Sequence, residues 1–103
     1  MITNNDILNF LGLARRAGKL VLGREQCLAA VRKKKAKLVV LAGNAAYLTR
    51  KEFTDKCRYY GVPLFETGTK EEIGKALGKQ PLSVIAFIDE SFAAGLLKRL
   101  QGN

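Results

Sequence analysis

Four consecutive residues, Gly23, Arg24, Glu25 and Gln26, place most of the polar chemistry at the start of a predicted helix. Glycine tolerates positive φ and lets another backbone approach closely, and the first amides of a helix lack internal partners. This corner can therefore hold an anion or donate to hydrogen-bond acceptors. Gln26 both donates and accepts, whereas Arg24 only donates. Glu25 either accepts from an amino group of a ligand or stabilises the helix dipole from the first turn.

The residue sets on which enzymes and metal sites depend are not evident in the sequence. It has no histidine, no phosphate loop of Gly-x-x-x-x-Gly-Lys type, no clustered carboxylates and no serine beside a base. Cys27 and Cys57 each fall on the apolar stripe of a predicted helix, as buried free thiols do. A zinc site needs four close-set ligands, which two isolated cysteines without histidine do not supply. From these missing residue sets we predict that the protein is not an enzyme and binds neither a metal nor a cofactor.

The composition suits one basic domain spanning residues 1–103. Hydrophobic residues make up 48% of the 103, enough for a core, and the formal net charge is +9. Such an excess indicates a nucleic acid, an anionic membrane surface, or a basic surface with no specific partner. No apolar run approaches ~18 residues, so we predict neither a membrane span nor a signal peptide. Reduced cysteines favour the cytoplasm.

Apolar periodicity and glycine or proline stops predict five helices that alternate with four strands. Candidate helix starts are Thr3 with Asp6, Thr49 with Glu52, and Thr69 with Glu72, each resembling a capping box, and Asp89 or Ser91 before the last helix. Candidate helix ends are Gly18, Gly61 and Gly78. The apolar runs that predict strands are Lys19–Leu22, Leu38–Ala42, Leu64–Phe65 and Ser83–Ile88.

This alternation predicts an α/β fold, a three-layer α/β/α sandwich with a central mixed sheet of about four strands. With right-handed crossovers, strand carboxyl ends and helix amino ends share one end of the sheet, where ligands bind in such folds. That end would collect Gly23–Gln26, Gly43–Asn44 and Thr69–Lys70. The basic run Lys33, Lys34 and Lys35 would face the opposite end, either as a solvated face or as a second, non-specific phosphate contact.

Several runs, in this order and spacing, make the chain resemble the kink-turn RNA-binding superfamily of ribosomal proteins L7Ae and L30e, and within it the small bacterial YlxQ-like members. The resemblance covers almost the whole chain. The runs are Leu11–Lys19, Gly23-x-x-Gln26, Ala36–Ala42, Thr54–Cys57, Tyr60–Pro63 and Lys70-x-x-Ile73–Gly78.

The resemblance implies binding to a kink-turn, a sharp bend between two RNA stems held by tandem sheared G·A pairs. Gly23 matches the turn glycine of the family signature, and Gln26 matches its Glu/Gln position. Glu25 stands where Asn or Lys usually contacts the major groove, and Ala29 stands where many members carry Lys. These two departures bear on the affinity for RNA rather than on the fold.

Three further positions match family contacts. Lys70 matches a lysine that lies by the extruded base, and Pro81 and Leu82 match an apolar loop that packs on the bend. Without the resemblance, Lys70 is an ordinary exposed charge and Pro81-Leu82 a turn into a strand.

We therefore predict a monomeric protein that binds structured RNA in the translation apparatus, with ribosomal RNA as one candidate and with no membrane or DNA partner. Arg24 and Asn44 complete the predicted RNA-binding set. The alternative is a basic protein-binding adaptor of the transcription or translation apparatus without specific RNA recognition.

Overall fold

The computed structural model describes residues 4–100 as five helices and four strands that alternate along the chain. They are α1 (Asn4–Arg16), β1 (Leu20–Leu22), α2 (Arg24–Arg32), β2 (Leu38–Ala42), α3 (Tyr47–Tyr60), β3 (Leu64–Thr67), α4 (Lys70–Ala76), β4 (Val84–Phe87) and α5 (Glu90–Leu100). The predicted order and number of elements are confirmed over this range.

The four strands form one mixed sheet in the order β1-β4-β2-β3. β2 and β3 are parallel, and β4 runs antiparallel to both of its neighbours, β1 and β2. Every residue of β2 and β4 is buried, as expected for central strands covered on both faces. The edge strands β1 and β3 are more open, which fits their shorter apolar runs.

Helices cover both faces of the sheet. α2 packs against β1, β4 and α3, whereas α1 packs against α4 and α5. The largest fully buried side chains include Phe53, Phe87 and Leu11, from α3, β4 and α1. The predicted three-layer α/β/α sandwich is confirmed. None of the helices between residues 4 and 100 is long and apolar enough to cross a bilayer.

Two of the predicted helix starts are confirmed by their hydrogen bonds. The N–H of Glu72 donates to Thr69 Oγ1 at 3.1 Å, and the N–H of Thr69 donates to Glu72 Oε1 at 3.0 Å. This reciprocal pair is the capping box of α4. Asp89 caps α5, since its Oδ2 accepts from the N–H of Phe92 at 2.9 Å.

The predicted capping box of Thr49 with Glu52 is wrong. The cap position lies three residues earlier, at Ala46, which makes no side-chain cap, and α3 begins at Tyr47. Thr49 therefore lies inside the helix, and the Glu52 carboxylate pairs with Arg24 of α2 instead. Ser91 lies within α5 rather than at its cap. The predicted cap at Thr3 lies outside the described residues.

Candidate nucleic-acid interface

The carboxyl ends of β1, β2 and β3 meet at one end of the sheet. β1 and β2 are both antiparallel to β4, and β3 is parallel to β2, so the three strands point the same way. The loops that follow them meet the turn that enters β4. We call this surface the polar end; its residues are Gly23–Gln26, Gly43–Asn44, Thr69–Lys70 and Pro81–Leu82.

Main-chain hydrogen bonds between the loops close the polar end. The N–H of Gly23 donates to Val84 O at 3.0 Å, and the N–H of Leu82 donates to Lys70 O at 3.0 Å. The N–H of Gly43 donates to Gly68 O at 2.8 Å. The predicted gathering of these segments is therefore confirmed, and Pro81–Leu82 joins them.

Asn44 ties the β2 loop to the start of α4 with both groups of its amide. Its Oδ1 accepts from the N–H of Lys70 at 2.8 Å, and its Nδ2 donates to Glu71 Oε1 at 3.1 Å. The Asn44 donor, helped by the backbone of Glu71 and the charge of Lys70, holds the pKa of the Glu71 carboxyl below its usual range. In this arrangement Asn44 acts as a brace, a role that the sequence did not indicate.

Arg50 supports the same loop from α3. Its Nη2 donates to Gly43 O at 2.8 Å, and its Nη1 pairs with the Glu66 carboxylate at the end of β3. Local sequence patterns do not indicate this contact, because the partners come from three separate parts of the chain.

Arg24 bonds to a carboxylate on α3 through two nitrogens of its guanidinium. Its Nε donates to Glu52 Oε1 at 2.8 Å, and its Nη2 donates to Oε2 at 3.1 Å. Beside this pair, Lys51 Nζ donates to Asp55 Oδ2 at 3.0 Å. We call the open groove here the α3 groove; its lining is Arg24, Leu48, Thr49, Lys51, Glu52 and Asp55. Its two cations and two carboxylates balance.

Glu25 and Gln26 project from the first turn of α2 and are exposed. Within residues 4–100 the Glu25 carboxylate makes no hydrogen bond or ion pair. Gly23 has φ +89°, a conformation that favours glycine. This corner therefore keeps a free carboxylate and a free amide beside its backbone N–H groups.

A second open groove runs from the polar end along β1. We call it the β1 groove; its lining is Arg15, Leu20, Val21, Leu22, Gln26, Lys79 and Leu82. Arg15 also donates to Leu77 O, and Lys79 is exposed. Two cations and no carboxylate line this groove. The sequence offered Arg15 only as part of the Leu11–Lys19 run and did not single out Lys79.

The basic run Lys33, Lys34 and Lys35 lies at the opposite end of the sheet, directly after α2. All three side chains are exposed, and none forms a salt bridge within residues 4–100. Lys34 turns the chain with φ +59°. The structure thus separates this run from the polar end, as the sequence predicted.

The buried thiols differ from these exposed groups. Cys27 on α2 and Cys57 on α3 are free thiols, and both belong to the hydrophobic core. Burial, with a smaller effect of Cys57, raises the pKa of the Cys27 thiol to about 12. Burial raises the pKa of Cys57 to about 11. Among the described residues no group of three or more carboxylates and cysteines is placed to hold a metal ion.

Residues 5–97 match the model of the ribosomal protein L7Ae/L30e/S12e/Gadd45 family. The chain belongs to this family. The match spans the polar end, both grooves and the whole sheet, so the resemblance inferred from the sequence runs is confirmed.

Two relatives carry the name RNA-binding protein YlxQ. One, from Enterococcus faecium, is 41% identical over 95 residues, covering 92% of this chain and 91% of the relative. The other, from Bacillus subtilis, is 40% identical over 90 residues, covering 87% and 90%.

Two solved structures are similar. A protein of unknown function from Bacillus halodurans superposes with a TM-score of 0.87 at 36% identity, covering 92% of this chain and 96% of the other. A 15.5 kD RNA binding protein of Giardia lamblia gives a TM-score of 0.80 at 22% identity, covering 92% and 84%. At that identity the second likeness concerns the fold alone.

Proposed function

We propose that this chain is a non-enzymatic RNA-binding protein whose single domain, residues 1–103, recognises a kink-turn or a similarly bent RNA. It acts as a monomer in the cytoplasm, in association with ribosomal RNA or the translation apparatus. Membership of the family and the name of the two YlxQ relatives support RNA as the ligand. Recognition of a bent RNA is supported by the arrangement of the polar end.

The observation that carries the proposal is the composition of the polar end. It brings a helix amino end with Gly23, Arg24, Glu25 and Gln26 next to Lys70 on a braced backbone. The narrow major groove of regular A-form RNA excludes side chains, whereas a distorted helix exposes base edges. An end that presents both hydrogen-bond donors and acceptors on exposed side chains fits such a distortion better than it fits a regular duplex.

Pro81 and Leu82 supply an apolar contact for the bend. Leu82 is half-buried and also lines the β1 groove, so this part of the polar end borders that groove. Arg15 and Lys79 then meet the phosphates of the strand that leaves the bend, because their groove carries positive charge without a carboxylate. Lys33, Lys34 and Lys35 at the opposite end can make at most a second, non-specific phosphate contact.

A titration of a kink-turn hairpin against a straightened mutant of equal length tests the proposal. We expect the kinked RNA to bind at least about tenfold more tightly, the value of one good base contact. Equal affinity for both RNAs at every salt concentration would contradict recognition of the bend.

One observation favours a second function, that of a protein-binding adaptor. α3 exposes Tyr47 and Leu48, with 72% and 76% of their surface accessible, beside the α3 groove. Apolar side chains of this size on a helix face suit a partner protein. An adaptor would bind the kinked and straightened RNAs alike, so the same titration separates the two functions.

A further inference from the structure

Glu52 holds Arg24 in a geometry that leaves one defined edge of the guanidinium open. Its two oxygens accept from Nε at 2.8 Å and from Nη2 at 3.1 Å, so they occupy the edge on the Nε side. A guanidinium has five N–H groups in a fixed planar fork. The opposite edge therefore keeps one N–H of Nη1 and one of Nη2, parallel and unused.

This open edge has a fixed direction. Arg24 is the first residue of α2 and Glu52 lies within α3, so the pair joins two packed helices. The Arg24 side chain is still 54% exposed. A ligand can thus reach the open edge without breaking the ion pair. Two parallel donors match the O6 and N7 acceptors of guanine, the commonest specific contact of arginine with a base.

The surroundings of Arg24 favour a base over a phosphate. Glu52 neutralises the guanidinium, and the neighbouring Lys51 and Asp55 neutralise each other at 3.0 Å. The α3 groove therefore has no net charge with which to attract a phosphate, and its carboxylates repel one. The β1 groove, on the other side of the α2 amino end, has the opposite character, since Arg15 and Lys79 face no carboxylate there.

We propose that Glu52 is a positioning residue for Arg24, and that the open edge of Arg24 binds O6 and N7 of a guanine in the bent RNA. The two grooves then have different roles. The β1 groove contacts phosphates and positions the RNA, whereas Arg24 in the α3 groove recognises a base. This inference rests on the proposed function, because it assigns a base to a site on the same surface.

Substitution of single guanines in the kink-turn hairpin by 7-deazaguanine tests the assignment, because it removes only the N7 acceptor. For the wild-type protein we expect one such guanine whose replacement weakens binding about tenfold. Arg24→Gln should weaken binding to the unmodified RNA by a similar factor, and 7-deazaguanine should then have no further effect. Glu52→Gln should retain the fold but lose most of the discrimination between guanine and 7-deazaguanine. The amide has only one acceptor oxygen, so it cannot hold both Nε and Nη2 of Arg24 in place.

Glu90→Gln is the control, since it removes one negative charge from an exposed side chain at the opposite end of the sheet, outside both grooves. It should keep the discrimination of the wild-type protein. The salt dependence gives a second readout. If Arg24 contacts a base, Arg24→Gln should leave the slope of log affinity against log salt unchanged. If Arg24 contacted a phosphate, the same substitution would reduce the magnitude of the slope by about one.

The outcomes separate the two proposals. If the wild-type protein discriminates kinked from straight RNA but no 7-deazaguanine affects it, the guanine assignment is overturned and the proposed function stands. Equal discrimination in the wild-type and Glu52→Gln proteins would overturn the role of Glu52, as would tighter binding by Glu52→Gln. If the wild-type protein ignores the kink, both proposals fail.

Discussion

Asn44 and Lys70 are joined across the polar end by a hydrogen bond of 2.8 Å from the N–H of Lys70 to the Oδ1 of Asn44. This bond connects the loop after β2 to the first residue of α4. It satisfies one of the helix amides that has no partner within the helix. The position of Lys70 thus depends on an amide 26 residues away in the chain.

Asn44→Ala should lower both stability and RNA affinity. The change removes the acceptor for Lys70 and the donor for Glu71, and we expect a loss of about 1–2 kcal/mol in the free energy of unfolding. Thr69→Ala is the control, because it weakens the start of the same helix without freeing the β2 loop. Urea unfolding and RNA titration of both variants check this. If Thr69→Ala reduces RNA affinity as much as Asn44→Ala at equal loss of stability, the brace has no specific role.

Much of the fold could be predicted from local patterns because the deciding forces are local. Gly61 and Gly78 have positive φ, and Thr69 and Asp89 cap the helices that follow them. The polar end also followed from the alternation of strands and helices, because parallel strands place their carboxyl ends together.

The side-chain geometry of the site could not be predicted in the same way. Thr49 and Glu52 have the spacing of a capping box, yet Glu52 pairs with Arg24 of α2, which lies 28 residues earlier in the chain. Local spacing cannot reveal a partner on another helix. The β1 groove could not be predicted for the same reason, since Arg15 and Lys79 come to line one groove only after α1 and α4 have packed together.

Glu25→Asn should tighten binding to kink-turn RNA by about 1–2 kcal/mol, the value of one base contact. The carboxylate is exposed and unpaired within residues 4–100, so RNA binding would desolvate it beside phosphates without compensation. Stability should barely change, because only a modest interaction with the helix dipole is lost. Glu90→Gln, in the first turn of α5 at the opposite end of the sheet, is the control for the change in net charge. Weaker binding by Glu25→Asn would show that the carboxylate accepts a specific base proton.

The salt dependence of RNA binding should distinguish the two basic regions. Each phosphate contact contributes roughly −0.9 to the slope of log affinity against log salt. Lys79→Gln should therefore flatten the slope by about one with a short hairpin. The triple change of Lys33, Lys34 and Lys35 to Gln should leave it unchanged, since those residues lie at the opposite end. A flatter slope for the triple variant would establish the second phosphate contact.

Two helical glycines should respond to alanine in opposite directions. A Cβ at Gly74 would lie 2.9 Å from the Cα of Pro81, so the loop that carries Pro81 must move. We expect Gly74→Ala to cost about 1–3 kcal/mol of stability, as overpacking does, and to weaken RNA binding. At Gly12 the nearest atom lies at 3.4 Å, and the gain in helix propensity should stabilise the protein by about 0.5–1 kcal/mol. Thermal unfolding of both variants measures the contrast, and equal destabilisation would refute it.

The buried thiol of Cys27 should make the protein lose stability in alkaline solution. Its pKa is raised by burial from 9.0 to about 12 in the folded state, so the unfolded chain loses the proton first as the pH rises. The stability that the protonated Cys27 thiol contributes is fully present below pH 9.0, the ordinary pKa of a cysteine. It is lost progressively as the pH rises from there towards 12. Within that window the free energy of unfolding should fall by up to about 1.4 kcal/mol per pH unit for this group. Cys27→Ala should reduce the slope of stability against pH, even though it lowers stability at neutral pH. Urea unfolding of both proteins from pH 8 to 11 measures this slope. The difference between the two series cancels the titration of lysine and tyrosine, which both proteins share. Parallel curves for the two proteins over this range would mean that the Cys27 thiol titrates alike in the folded and unfolded chains.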